Sequence, residues 1–185
     1  MKHSSSRQFF AYWDAKRGHA RAPDRSEIEP SAVRELLGDI FVLSFDNEAG
    51  FPFRVAGTRV CALAGRDLKD QSFLALFAPD SRREIESIVT VVAEEMLAVI
   101  AGISATAQDG STAHLELLLL PFNTRAHAPI SLTGVLAPFE GEIGLLRDFR
   151  LTSWRYLHRP EKLVPRALRK LAIARGFMVY EGLGS

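Results

Sequence analysis

The stretch His114–Pro121, "HLELLLLP", restricts the fold more than any other part of the chain. In an extended segment, successive side chains point to opposite faces. Leu115, Leu117 and Leu119 therefore share one face, while His114, Glu116, Leu118 and Leu120 share the other. The first face belongs to a core. The second is polar at one end and apolar at the other, so a further element must lie over its apolar end.

An aromatic helix at the N-terminus is the candidate cover, supplied by the same chain or by a partner subunit. "SRQFFAYWDAKRGHAR" places Phe9, Tyr12, Trp13 and Lys16 or Arg17 at helical spacing, aromatic at one end and basic at the other. If that helix covers the strand, removing residues 1–20 exposes apolar surface; unchanged solubility, melting temperature and oligomeric state would refute the reading.

The remaining segments follow from the same periodicities. "APDRSEIEP" reads as a loop, and Pro30 suits the first turn of a short helix that stops at Gly38. "DIFVLSFDNEAGFPFRVAGT" reads as two strands around the turn "DNEAG". Short helical pieces follow Gly57. A long helix comes next, with Ser81 and Glu84 as a capping box and Ile85, Ile88, Val89, Val92, Met96 and Leu97 on its buried stripe. Strands are expected at about 100–107, 113–122 and 130–139, the first two joined through the hairpin signal "QDGS". With βαβ periodicity absent, the fold class is α+β, an antiparallel sheet with helices on one side.

Composition narrows the class of protein. The chain has 185 residues, 47% of them apolar and 24% charged, which suits one globular domain with decorations. Cys61 is the single cysteine, so no internal disulfide forms, and a reducing cytoplasm is the expected location. The first residues lack the apolar run of a signal peptide, and "LELLLLPF" is too short to span a bilayer. Net charge is +1, yet Arg147 to Arg175 holds nine Lys or Arg against Asp148 and Glu161, a local +7. Such asymmetry fits a solvated face matched to the acidic body, or an anionic partner.

The order strand-strand, small helices, long helix, three strands resembles a PAS domain, a sensory fold built on a five-stranded antiparallel sheet. "FRVAGTRVCALAGRDLKDQSFLALFAPDSRREI" carries the likeness most closely: a strand enters a short helix, then a Gly-x-x-Leu phrase, an "F-x-x-L" piece and a Pro-Asp-x-x-Arg helix entry. More narrowly, the chain resembles the stand-alone bacterial PAS_5 family. The family phrases are matched by Tyr12 and Trp13, the "GHARAPDR" loop, "EIEP", "LLGDIFVL", Arg54 to Thr58, "GRDL" at 65–68 and "VYEG" at 179–182. Gly38 stands where a proline is common, and residues 158–177 match least. The resemblance implies a five-stranded PAS core at 39–147, an N-terminal helical cap at 1–38 and a basic helical or extended C-terminal extension at 148–185. It also implies a sensing or regulatory module, with self-association as a homodimer and a signalling protein as partner.

The chemical candidates reduce quickly. A nucleophilic cysteine needs a lowered pKa and a base in reach. Arg59 and Arg66 flank Cys61, but the five histidines lie in tails, loops or strand edges, and its neighbours in "VCALAG" are small and apolar. The residues favour packing. Light-sensing PAS relatives carry their flavin-adduct cysteine in an Asn-Cys-Arg-Phe-Leu-Gln phrase, where this chain has "SFLALF"; haem-binding relatives use a histidine on the long helix, and residues 81–99 have none. Flavin and haem are therefore not expected. Neither a P-loop nor a Rossmann glycine phrase is present, Asp67 and Asp70 suit turns, and no metal-ligand spacing occurs. An enzyme is not expected.

Two binding candidates remain. A small apolar or amphipathic molecule between sheet and helices would be lined by Phe53, Val55, Val60, Leu63, Leu74, Phe77, Ile88, Val92, Leu117 and Leu132; equally, those side chains fill the core and no ligand exists. "LVPRALRKLAIARGF" reads as a basic amphipathic helix with Arg166, Arg169, Lys170 and Arg175 outside its apolar stripe. It packs on the body, docks a partner, or binds nucleic acid or an anionic surface. Without interleaved aromatics or a helix-turn-helix phrase, nucleic acid is the weakest of these.

Overall fold

The computed structural model describes residues 1–123, 129–139, 144–157, 169–174 and 177–181. Its helices are α1 (Ser4–Arg17), α2 (Thr58–Ala64) and α3 (Pro79–Glu95), with short 3₁₀ turns at Arg25–Glu27, Pro30–Leu36 and Leu74–Leu76. The strands are β1 (Ile40–Ser44), β2 (Phe53–Ala56), β3 (Val99–Ala107), β4 (Thr112–Pro121), β5 (Ser131–Pro138), β6 (Leu146–Tyr156), β7 (Arg169–Ala174) and β8 (Phe177–Glu181). They form one antiparallel sheet in the order β2-β1-β5-β4-β3-β6-β7-β8.

The five expected strands are present, and their order is set by which backbone edges remain to be paired. The hairpin β3–β4 forms because Gly110 takes a positive φ of 84° and Ala107 closes the loop on Ser111 with a 2.9 Å hydrogen bond. Asp109 does not share that left-handed conformation; its carboxylate instead accepts the Ser111 N–H at 2.9 Å and holds the turn from the side. β5 then lies between β4 and β1.

Three sequence expectations are corrected. β6 was not anticipated, and it runs through residues 147 and 148, where core and extension were divided. A bulge hides it: Asp148 has φ 54°, the register with β3 shifts twice, and the apolar residues Leu146, Phe149, Leu151 and Trp154 lose strict alternation. Residues 169–174 form β7 rather than part of a basic helix, because their backbone groups pair with β6 at Trp154 and Arg155 and with β8. Tertiary pairing here overrides a weak local preference. Finally, α3 begins at Pro79 with Ala78 as its cap. Ser81 and Glu84 do not cap each other: the Ser81 hydroxyl accepts the Leu151 N–H at 3.1 Å, and Glu84 accepts the Trp154 indole N–H at 2.9 Å. Both residues fasten α3 to β6.

The sheet is covered on both faces, as "HLELLLLP" requires. Leu115, Leu117 and Leu119 enter the larger core under α2 and α3, together with Phe41, Leu43, Ile85, Val89 and Val92. Leu118 and Leu120 enter a second core with Phe9, Trp13, Ile40, Ile100 and Val135. The cover is α1 of the same chain. Its Trp13 is 1% exposed and donates its indole N–H to the Pro121 carbonyl at 2.9 Å. Lys16 lies over the Tyr12 ring at 5.6 Å and Arg17 over the Trp13 ring at 5.7 Å, so the basic end of the stripe also favours the C-terminal end of the helix dipole.

Candidate functional site

In this fold the space between the inner sheet face and α2–α3 is the natural place for a ligand, and aromatic side chains occupy it. Phe73 lies 5.5 Å from Phe41, 5.6 Å from Phe53 and 5.2 Å from Phe77 between ring centroids, and Phe77 continues to Phe149 at 6.2 Å. These rings come from β1, β2, the loop before α3 and β6. All five are fully buried. Offset and edge-to-face pairs at these distances gain stability beyond the area they bury.

The expected lining residues gather around this cluster, with one exception. Phe53, Val60, Leu63, Phe77, Ile88, Val92, Leu117 and Leu132 are all buried members of the inner core, and Leu74 packs against it. Val55 does not belong there. It stands opposite Val42 on the outer side of β2 and is 51% exposed. The bulge between Val42 and Leu43 reverses the alternation that a straight reading of "FRVAG" assumes. Missing from the expected set were Phe41, Phe73 and Phe149, the rings that tie the cluster together.

Cys61 lies on α2 at intermediate burial, packed on the inner core, with its sulfur 3.9 Å from the Ala56 carbonyl oxygen. Arg59, one residue before Val60 on the same helix, is turned the other way. Its guanidinium donates to Asp39 at 2.5 and 2.9 Å and to the Glu35 carbonyl at 2.9 Å. The hydrogen bonds it donates to the Asp39 carboxylate hold that guanidinium above its ordinary pKa. Asp39 is only 4% exposed and also accepts the Ser5 hydroxyl at 2.8 Å, so one carboxylate joins α1, β1 and α2. Gly57 makes this approach feasible: a Cβ there would lie 2.2 Å from the Leu37 carbonyl oxygen and 2.3 Å from that of Gly38.

A second buried carboxylate fixes the start of α1. Glu116 is 4% exposed and accepts the Lys2 and His3 backbone N–H groups at 2.6 and 3.0 Å. Negative charge beside a helix N-terminus is favourable. This explains the polar end of the β4 outer face, whose partner the sequence did not reveal.

α1 leaves part of the outer sheet face open. Over β3, β4 and β6 a groove of about 690 Å³ is lined by Lys2, Ile100, Gly102, His114, Phe139 and Arg155 among others. A second groove, of about 420 Å³, runs between α3 and β6 past Asp80, Ile88, Val91, Trp154 and Tyr156. Of the basic residues singled out in the C-terminal segment, Arg169 and Lys170 belong to β7, while Arg166 and Arg175 lie outside the described residues. Among the described residues no His, Cys, Asp and Glu cluster suits a metal ion, and no helix is long and apolar enough to cross a membrane.

Sheet order, flanking helices and inner core define a PAS-type domain. A family model described as a PAS domain, PAS_5, matches residues 1–137, so the chain belongs to that family. The match includes α1 and ends before β6. Among solved structures, the chain is similar to a light-oxygen-voltage domain studied with a flavin analogue, at 14% identity over 60% of this chain and 83% of that one, TM-score 0.47. It is similar to the PAS domain of an HTR-like protein from Haloarcula marismortui, at 19% identity over 59% and 90%, TM-score 0.43. The Rhodobacter sphaeroides light-oxygen-voltage protein aligns at 12% identity over 74% and 69%, TM-score 0.45. These likenesses concern the fold. No functionally curated protein matches the chain.

Proposed function

We propose that this PAS domain is a non-enzymatic regulatory module that acts through protein–protein contacts, with its interior occupied by its own side chains. The observation that carries this reading is the Phe41–Phe53–Phe73–Phe77–Phe149 cluster. A flat tricyclic group such as a flavin would need the volume those rings fill, and protein interiors pack too densely to hold both. The Cys61 thiol, for its part, is directed at the Ala56 carbonyl, which suits the packing role. Without an internal ligand, the surfaces left for signalling are those flanking α1 and β6. Self-association is part of the same reading.

Native and denaturing mass spectrometry of the purified protein test it. Equal protein masses under both conditions are expected. A small molecule retained in the native state and released on denaturation would overturn the filled-interior reading.

A further inference from the structure

We propose that the outer-face groove over β3, β4 and β6 docks an acidic segment of a partner protein that carries an apolar anchor side chain. The inference rests on the reading of the protein as a module acting through protein contacts, and it assigns that contact a place and a chemistry.

Charge is the first argument. Lys2 and Arg155 are exposed cations at the groove, beside the exposed His114 ring, and among the described residues neither charged side chain makes an ion pair or hydrogen bond. Among the described residues that line the groove, Glu116 is the one carboxylate. It is buried, and both its oxygens accept backbone N–H groups at the start of α1. The groove therefore offers cations to solvent and keeps its anion engaged inside. Complementary acidic groups would be steered to it and held at its rim.

Shape is the second. Ile100, 6% exposed, and Gly102 form part of the floor, and Phe139, whose ring lies 6.2 Å from that of His3, stands 44% exposed among the lining residues. Gly102 keeps the floor deep: a Cβ there would come within 2.8 Å of the Ser153 hydroxyl oxygen and 2.9 Å of that of Thr152. The trough is open along the sheet. Small-molecule sites bury most of their ligand, whereas an open trough with an apolar floor and a charged rim suits a peptide segment that sets one side chain into it.

The test uses the full-length protein and two fluorescein-labelled peptides, one alternating Glu with Phe and Leu, the other with every Glu replaced by Lys. Fluorescence anisotropy should show saturable binding of the acidic peptide, weakening as salt rises, and no comparable binding of the basic one. Lys2→Gln together with Arg155→Glu should weaken binding about tenfold, as the loss of two exposed ion pairs implies. Gly102→Val, which leaves charge unchanged and fills the floor, should weaken it as well. Circular dichroism identifies any variant that fails to fold, and the other variant then decides.

Absent binding of the acidic peptide, equal binding of both peptides, or full affinity in a folded variant would overturn the proposal. So would a homodimer that Arg155→Glu separates, because the groove would then belong to a second copy, and so would laurate binding that the same variants abolish while the peptide fails to bind. The mass measurement detects a retained small molecule whereas anisotropy detects the peptide, so either inference can fail without the other.

Discussion

Replacing Phe73 with alanine measures directly whether the interior is full. Phe73 is completely buried and is the ring that contacts Phe41, Phe53 and Phe77 at 5.5, 5.6 and 5.2 Å. Truncating such a side chain removes its transfer free energy and leaves a cavity, at about 3–5 kcal/mol for phenylalanine. The ring-pair terms are already inside that figure, so they are not added again. Against a domain stability of roughly 5–15 kcal/mol, the variant should still fold. Its melting temperature should fall by about 6–20 °C, given some 2–4 °C per kcal/mol for a chain of this size. Urea denaturation followed by tryptophan fluorescence is a suitable assay, because Trp13 reports on the outer core and Trp154 on the inner one. Phe73→Trp provides the converse: a filled site resists the larger ring by about 1–3 kcal/mol. If Phe73→Ala costs less than about 1 kcal/mol and Phe73→Trp is neutral, the space around Phe73 is not packed and the filled-interior argument fails.

Other perturbations test the supports of this arrangement. Gly57→Ala should destabilise by about 1–3 kcal/mol in equilibrium unfolding, since its Cβ would meet backbone atoms of Leu37 and Gly38 at 2.2–2.5 Å that cannot yield as a side chain end would. Trp13→Phe should cost about 1–3 kcal/mol, largely by leaving the buried Pro121 carbonyl without its indole donor; hydrogen exchange in α1 should rise with it. Cys61→Ala should leave circular dichroism and peptide binding unchanged and shift stability by less than about 1 kcal/mol, consistent with a packing role at intermediate burial. At the β3–β4 turn, hydrogen bonds from the Ser111 hydroxyl and backbone hold the Asp109 carboxyl below its ordinary pKa. Its folded value is therefore depressed, and the support it gives the turn is present above the ordinary carboxylate pKa and lost as pH falls through the lowered one. Carbon-detected NMR titration of Asp109, expected to shift to the ordinary value in Ser111→Ala, checks the cause.

The elements whose periodicity is regular are legible in the sequence. The expected strands at about 100–107, 113–122 and 130–139 correspond to β3, β4 and β5, and the long helix to α3, because a buried face repeated over several turns or pleats leaves a pattern in one segment of chain. Most of the expected interior set is buried for the same reason. Val55 departs from it because a bulge between Val42 and Leu43 changes which side of β2 faces inward, and β6 escaped notice because Asp148 interrupts its alternation. A bulge is settled by the partner strand, which a local pattern does not contain.

The sequence by itself determined that β4 must be covered on both faces, that an aromatic helix precedes the sheet, and that the chain carries the phrases of a PAS family. Tertiary structure alone decided that α1 of the same chain provides the cover, that Glu116 and Asp39 are the buried carboxylates anchoring it, and that Phe41 meets Phe73 and, through Phe77, Phe149 joins them from a third distant segment. The division has a physical cause. A segment's own pattern states which of its faces avoids water, whereas the identity of what it meets there depends on long-range closure of the chain, which brings Ser5 to Asp39 and Lys2 to Glu116 across 34 and 114 positions of sequence.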